Sequence, residues 1–277
     1  LAENKTMGDI DLLYAAFNLT RPSFAKTCYA RLFYIYYADG RSLQPADNRA
    51  FDVRNADRRH LATNTGGGHI VHVIPTSMGR IDLMGWGTLQ AGDWGHQDHH
   101  CWAFAAEAGW QPSLSWLLPW KAWLRIGYKR SSGDDDLSDS DHNTLFQVLP
   151  ATRIYSFTTF CKLMNNEDAF FQLILRPMQG LTWRTDFHNI RVTEKTTSGT
   201  RELGQRLKIG SRLWLCWSAH FGKRALFQII ETTFNYNLNK RINIQLFFSH
   251  VFGDSIVDQI FSGDDANFRY LEVTLQI

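Results

Sequence analysis

Residues 268–277 read FRYLEVTLQI. Leu271, Val273, Leu275 and Ile277 fall on one parity, and Tyr270, Glu272, Thr274 and Gln276 on the other. That period of two is what a strand with one apolar and one polar face requires. The pattern continues upstream. Ile242, Ile244, Leu246 and Phe248 oppose Arg241, Asn243, Gln245 and Ser249, with Phe247 as an aromatic on the polar face. Ile230, Phe234 and Tyr236 oppose Glu231, Thr233 and Asn235, and residues 237–240, NLNK, form the short polar turn between these two strands.

Working outward, Leu181, Trp183, Thr185 and Phe187 oppose Thr182, Arg184, Asp186 and His188; Ala169, Phe171, Leu173 and Leu175 oppose Asp168, Gln172 and Arg176. Trp120, Ala122, Leu124, Ile126 and Tyr128 turn away from Lys121, Arg125 and Lys129, and Trp102, Phe104, Ala106, Ala108 and Trp110 turn away from Glu107. Ile81, Leu83, Leu89 and Ala91 alternate with Arg80, Asp82, Thr88 and Gln90, and further strands fit residues 67–75, 9–19 and 27–37. The count is about eleven, each near the ~9 to 11 residues with which a tilted strand crosses a bilayer. Short turns at 76–79, 177–180 and 237–240 alternate with long polar excursions at 38–65, 131–166, 195–223 and 253–267. Tight turns on one side and long loops on the other predict an all-β, transmembrane, antiparallel up-and-down β-barrel occupying residues 1–277 as one domain. Trp102, Trp110, Trp120, Tyr128, Tyr14, Tyr34 and Tyr36 fall on the apolar parity, often toward strand ends, where interfacial girdles sit. A large sandwich or propeller is the competing reading, since it also alternates with one polar face.

Composition removes other classes. The formal net charge of the 277 residues is +2 with 20% charged residues, which suits neither a nucleic-acid-binding polycation nor an acidic tail. No stretch approaches the ~18 to 20 apolar residues of a spanning helix. The chain opens at Leu1 without a charged and apolar leader, so a secretion signal is expected to have been removed or to lie upstream. Cys28, Cys101, Cys161 and Cys216 are widely spaced and suggest neither a disulfide framework nor a zinc finger.

Three stretches carry a family resemblance: GWGTLQAGDWGHQDHHCWAFAAEAGWQP at 85–112, WLRIGYKRSSGDDD at 123–136, and LPATRIYSFTTFCKLMNNEDAFFQLILRP at 149–177. With the terminal YLEVTLQI, they resemble the outer-membrane alginate-export porins from about residue 65 onward. The resemblance implies a bacterial outer-membrane location, a bilayer rich in lipopolysaccharide, and a large barrel of about eighteen strands. It also implies that a polyanionic polysaccharide or related small solutes pass an arginine-lined lumen, with periplasmic export partners. Against that number the chain is expected to lack N-terminal strands, as the C-terminal portion of a barrel, and Ile277 departs from the usual terminal aromatic.

If the apolar faces meet lipid, the polar faces line the lumen and their charges set selectivity. The bases placed there are Arg31, Arg80, Lys121, Arg125, Lys129, Arg176, Arg184 and Arg241; the acids are Asp82, Glu107, Asp168, Asp186, Glu231 and Glu272. Lys121, Arg125 and Lys129 read as a ladder on one strand, with rungs about 13 Å apart, along which uronate carboxylates step. The competing reading pairs these bases with lumen acids. In HQDHH, His96, Asp98, His99 and His100 invite a metal, but neighbouring histidines on a strand point to opposite faces. Asp134, Asp135, Asp136, Asp139 and Asp141 lack the glycine and glutamate of an EF-hand, leaving a solvated loop or a loosely held calcium ion. No other cofactor is expected. Catalysis is not expected either: Asp186 with His188, and His250 beside Ser249, complete no triad, and a Gly-x-Ser-x-Gly elbow is absent. The function predicted is a passive export or diffusion channel. The alternatives are an outer-membrane barrel enzyme and a soluble carbohydrate-binding β protein.

Overall fold

The computed structural model describes residues 10–20, 28–41, 49, 51–136, 138–148, 156–158, 164–194, 224–254, 256–257, 263 and 265–276. In chain order they form β1 (Ile10–Thr20), β2 (Cys28–Asp39), a short helix α1 (Phe51–Ala56), β3 (Leu61–Thr76), β4 (Gly79–Trp94) and β5 (Gln97–Pro112). A 3-10 turn (Leu118–Trp120) leads to β6 (Trp123–Ser131), β7 (Asp141–His142), β8 (Asn166–Met178), β9 (Leu181–Val192), β10 (Ala225–Asn237), β11 (Ile242–Gly253) and β12 (Asp265–Leu275). All lie in one sheet whose order follows the chain, except that β7 joins β5 from the side. The neighbours along that path are antiparallel, while β7 pairs parallel through Asp98 with Asp141 and His99 with His142. The predicted up-and-down arrangement is therefore present. β1 and β12 are the two edges of the described sheet, and in hydrocarbon such edges require pairing because their N–H and C=O groups have no water to turn to.

Burial separates two faces. On β5, Gln97, His99, Cys101, Ala103, Ala105 and Glu107 are buried, while Asp98, His100, Trp102, Phe104 and Ala106 are exposed. The covered parity is the inner face; the outer face carries Leu32, Ile70, Leu83, Leu89, Ile126, Phe171, Ile230, Phe248 and Leu271, all exposed. Trp102 and Trp110 stand on the outer parity of β5 eight residues apart. At ~3.3 Å per residue that is about 26 Å along the strand, or about 20 Å of height at the ~40° tilt of barrel strands, which fits within the ~25 Å apolar band of a membrane barrel. No helix among the described residues is long and apolar enough to cross a membrane.

The inner face is covered from the loop end by the chain itself. Residues 132–136 and 138–147 fold back over β4 and β5: the Gln90 amide donates to the Phe146 carbonyl at 3.2 Å and accepts from the Phe146 N–H at 3.0 Å. The His142 ring stacks on Trp94 with centroids 4.5 Å apart, and Leu145 packs with Cys101 and Ala103. Residues 156–158 settle over β10 and β11, where Phe157 meets Phe247 at 5.9 Å. Phe247 is fully buried and also stacks on Tyr270 at 4.9 Å. This is why an aromatic occupies the polar parity of β11.

The turn between β4 and β5 is tight and made at Gly95, whose φ of 67° suits glycine and whose missing Cβ leaves room for the Asp57 carboxylate. Asp57 accepts from the His96 backbone N–H at 2.9 Å and pairs with Arg49 at 3.0 Å, tying the β2–β3 excursion to this turn.

Three expectations change. β3 begins at Leu61, so the excursion after β2 is shorter than 38–65. Tyr14 faces the inner side, where it accepts a hydrogen bond from Arg31; the Ile35 register opposite Tyr14 sets that parity. The strand read from Trp120 starts instead at Trp123, because Pro119 and the preceding leucines turn into the 3-10 segment and Lys121 ends it with φ 45°.

Candidate functional site

The strand register lays the inner-face charges in a belt. Arg125 of β6 stands opposite Gln172 of β8, Gln172 opposite Asp186 of β9, Asp186 opposite Glu231 of β10, and Glu231 opposite Ser249 of β11. Glu107 of β5 faces Gly127, two residues from Arg125 on the same face. Gly127 is needed there: a Cβ would sit 2.4 Å from the Phe170 ring.

Within the belt, the bases meet acids. Arg125 donates to Glu107, and to the Gln172 carbonyl at 3.0 Å, with its guanidinium 4.9 Å above the Trp123 ring. Lys129 lies 3.6 Å from Asp168, both buried. Arg184 donates to Asp186 at 2.5 Å and lies over the Phe157 ring at 4.7 Å. Glu231 takes four hydrogen bonds from the inward segment, from the Ser156 and Thr158 hydroxyls and the Phe157 and Thr158 N–H groups, at 2.8 to 3.2 Å. The Ser249 hydroxyl, 2.9 Å from Thr158 Oγ1, extends the network by donating to it. A buried charge is tolerated only when paired or hydrogen-bonded in this way, so the belt fixes the wall and anchors the inward segment.

The other bases lie elsewhere. Arg31 is held by Tyr14 near β1. Arg80 on β4, Lys121 after the 3-10 turn, Arg176 at the end of β8 and Arg241 before β11 are exposed at the end of the sheet where the short turns lie. None of these four takes part in an ion pair among the described residues. Lys121 thus lies off β6 with the exposed bases at the turn end, and of the three residues read as a ladder Arg125 and Lys129 share the strand.

His99 is buried and His100 exposed, the opposite orientation that alternation requires. The His99 ring bonds His142 at 2.8 Å and Gln90 at 2.8 Å. Asp134 is buried, whereas Asp135 and Asp136 are exposed, so the three carboxylates are divided between two environments. Ser249 points inward and His250 outward, where it bonds Asn267 at 2.9 Å. His188 bonds Asp168 through Nδ1 at 2.8 Å, and its Nε2 has no hydrogen-bonding hydroxyl among the described residues. Asp186, His188 and Glu231 are the group whose ligand atoms converge, within 4.8 Å of one another. Cys28 and Cys101 are free thiols, and Cys161 and Cys216 lie outside the described residues.

Sequence alternation located every acid of the belt but not the inward segment. The bonds of Ser156 and Thr158 to Glu231 span 75 and 73 residues and have no periodic signature.

A search of curated proteins finds no match. A family profile described as "Alginate export" matches residues 19–255. That span takes in β2 through β11, with the charged belt and the four bases at the turn end. The chain belongs to the alginate export family.

Proposed function

We propose that this chain forms the wall of an outer-membrane channel through which an anionic, alginate-like polysaccharide, or small uronate solutes related to it, passes downhill. The observation that carries this reading is the separation of the inner-face charge into two zones. At mid-wall, Arg125, Lys129 and Arg184 are matched to Glu107, Asp168 and Asp186. At the turn end, Arg80, Lys121, Arg176 and Arg241 stand exposed. Short turns lie on the periplasmic side of outer-membrane barrels, so the basic mouth faces the compartment from which a polymer leaves. A cluster of one sign concentrates an oppositely charged solute at the mouth. The matched belt then offers no deep trap, and conduction requires binding weak enough to be released. The apolar outer face supports a lipid neighbour, with lipopolysaccharide at the loop end. Directionality comes from polymer supply and periplasmic partners, since a passive wall provides no energy source.

Swelling of proteoliposomes in isosmotic solutes tests the reading. Sodium glucuronate is expected to enter several-fold faster than the sodium salt of an equally sized sulfonated amine buffer lacking the carboxylate and ring hydroxyls. Equal rates, or no swelling in either, contradict it.

A further inference from the structure

The belt holds a feature that polysaccharide passage does not use. Asp186 and His188 lie two apart on β9 and so share the inner face, and register places Glu231 of β10 directly opposite Asp186. All three are buried, at 1% exposure each, and each offers a ligand atom within 4.8 Å of the other two. Two of the atoms in this cluster are orphaned: Asp186 Oδ1 and His188 Nε2 are buried without a hydrogen-bond partner. Buried polar atoms left unmet are costly, so two orphans in one cluster point to something that satisfies both.

The surroundings are those of a held ligand set. His188 Nδ1 bonds Asp168 Oδ2 at 2.8 Å, which fixes the ring and leaves Nε2 as the nitrogen without a hydrogen-bond partner. A carboxylate behind a histidine is the usual support of a metal-bound imidazole. Arg184 donates to Oδ2 of Asp186 at 2.5 Å, while Oδ1 has no hydrogen-bond partner. Residues 156–158 orient Glu231.

We infer that Asp186, His188 and Glu231 form a binding site for a first-row divalent transition-metal cation of the zinc class. One imidazole and two carboxylates suit such ions, and three protein ligands leave a position for water. Calcium prefers six to eight oxygens and is the poorer fit. Because Glu231 is also the anchor of residues 156–158, the cation braces the inward segment against the wall. The inference does not rest on the channel reading, and its test does not read transport.

The chelator-treated chain, folded in detergent, is titrated with Zn2+ by calorimetry and with Co2+ by visible absorption. The expected result is one equivalent of Zn2+ that His188→Gln loses, with Co2+ d–d bands that disappear in the same variant. Asp168→Asn keeps the three ligands and is expected to weaken Zn2+ about 10- to 100-fold. Asp186→Asn provides the second ligand variant, and heat-modifiable gel mobility confirms that each variant is folded. Equal Zn2+ stoichiometry in wild type, His188→Gln and Asp186→Asn overturns the site, as does Ca2+ displacing Zn2+ at equal concentration.

Discussion

Arg125 on β6 and Glu107 on β5 meet across the inner face, and Gln172 completes the guanidinium's bonding from β8. With Gln172 the contact spans the β5–β6 and β6–β8 interfaces, at the edge of the belt that Asp186 and Glu231 continue. Its two members make opposite contributions to the lumen field. Glu107→Gln releases a guanidinium and is expected to move the reversal potential toward anions. Arg125→Glu places two carboxylates together, moving it toward cations and destabilising the folded barrel by about 3 kcal/mol. Bilayer recordings and urea titration read the two effects; unchanged reversal potentials would remove the pair from the pore wall.

The outer face makes a depth-dependent prediction. Ala106 lies midway between Trp102 and Trp110 on the exposed parity of β5. Ala106→Arg is expected to cost about 2–4 kcal/mol in lipid, the penalty for a cation at the mid-plane of a barrel's lipid face. Folding into bilayers of short-chain lipid measures it, and a cost near zero would mean that this face does not meet hydrocarbon.

Acid is expected to loosen the loop end in two steps. Burial, followed by the nearby His99 and Arg49, holds His142 well below the ordinary histidine range, so it stays neutral when folded. Its contribution is whole above the unfolded value near 6.5 and declines as the pH falls below it. Asp57 behaves as a depressed carboxylate. Burial alone would raise it, but donors from His96, Arg49 and Arg59 outweigh that and hold it at about 2. Its contribution is whole above about 4 and is lost as the pH falls toward 2. Hydrogen exchange corrected for intrinsic rate should show residues 138–147 loosening first and residues 51–58 later. Simultaneous loosening would contradict the assignment.

Much of this architecture is written in alternation. The C-terminal strands, the turn at 237–240 and the inward acids follow from parity alone, because a single-layer sheet gives each side chain one of two faces. What parity misses is whatever lies off the strands. Phe247 was visible as an aromatic on the wrong face, yet its partners Phe157 and Tyr270 come from a distant segment and another strand. Lys121 kept the right spacing from Arg125, but Pro119 breaks the strand before it. Asp186 and His188 were legible as one face; Glu231 joins them only through the β9–β10 register.

The basic mouth offers the most direct test of the channel. Arg80, Lys121, Arg176 and Arg241 are exposed, so replacing all four with Glu should leave folding nearly unchanged, since surface charges contribute little to stability. Single-channel current is recorded with an oligouronate added on the turn side. The wild-type chain is predicted to show brief, salt-sensitive blockades that weaken as the Debye length shrinks below about 8 Å, and the fourfold variant to lose them. Blockades of equal frequency in both proteins, or an open wild-type channel that the oligouronate never blocks, would contradict passage of a polyanion through this wall.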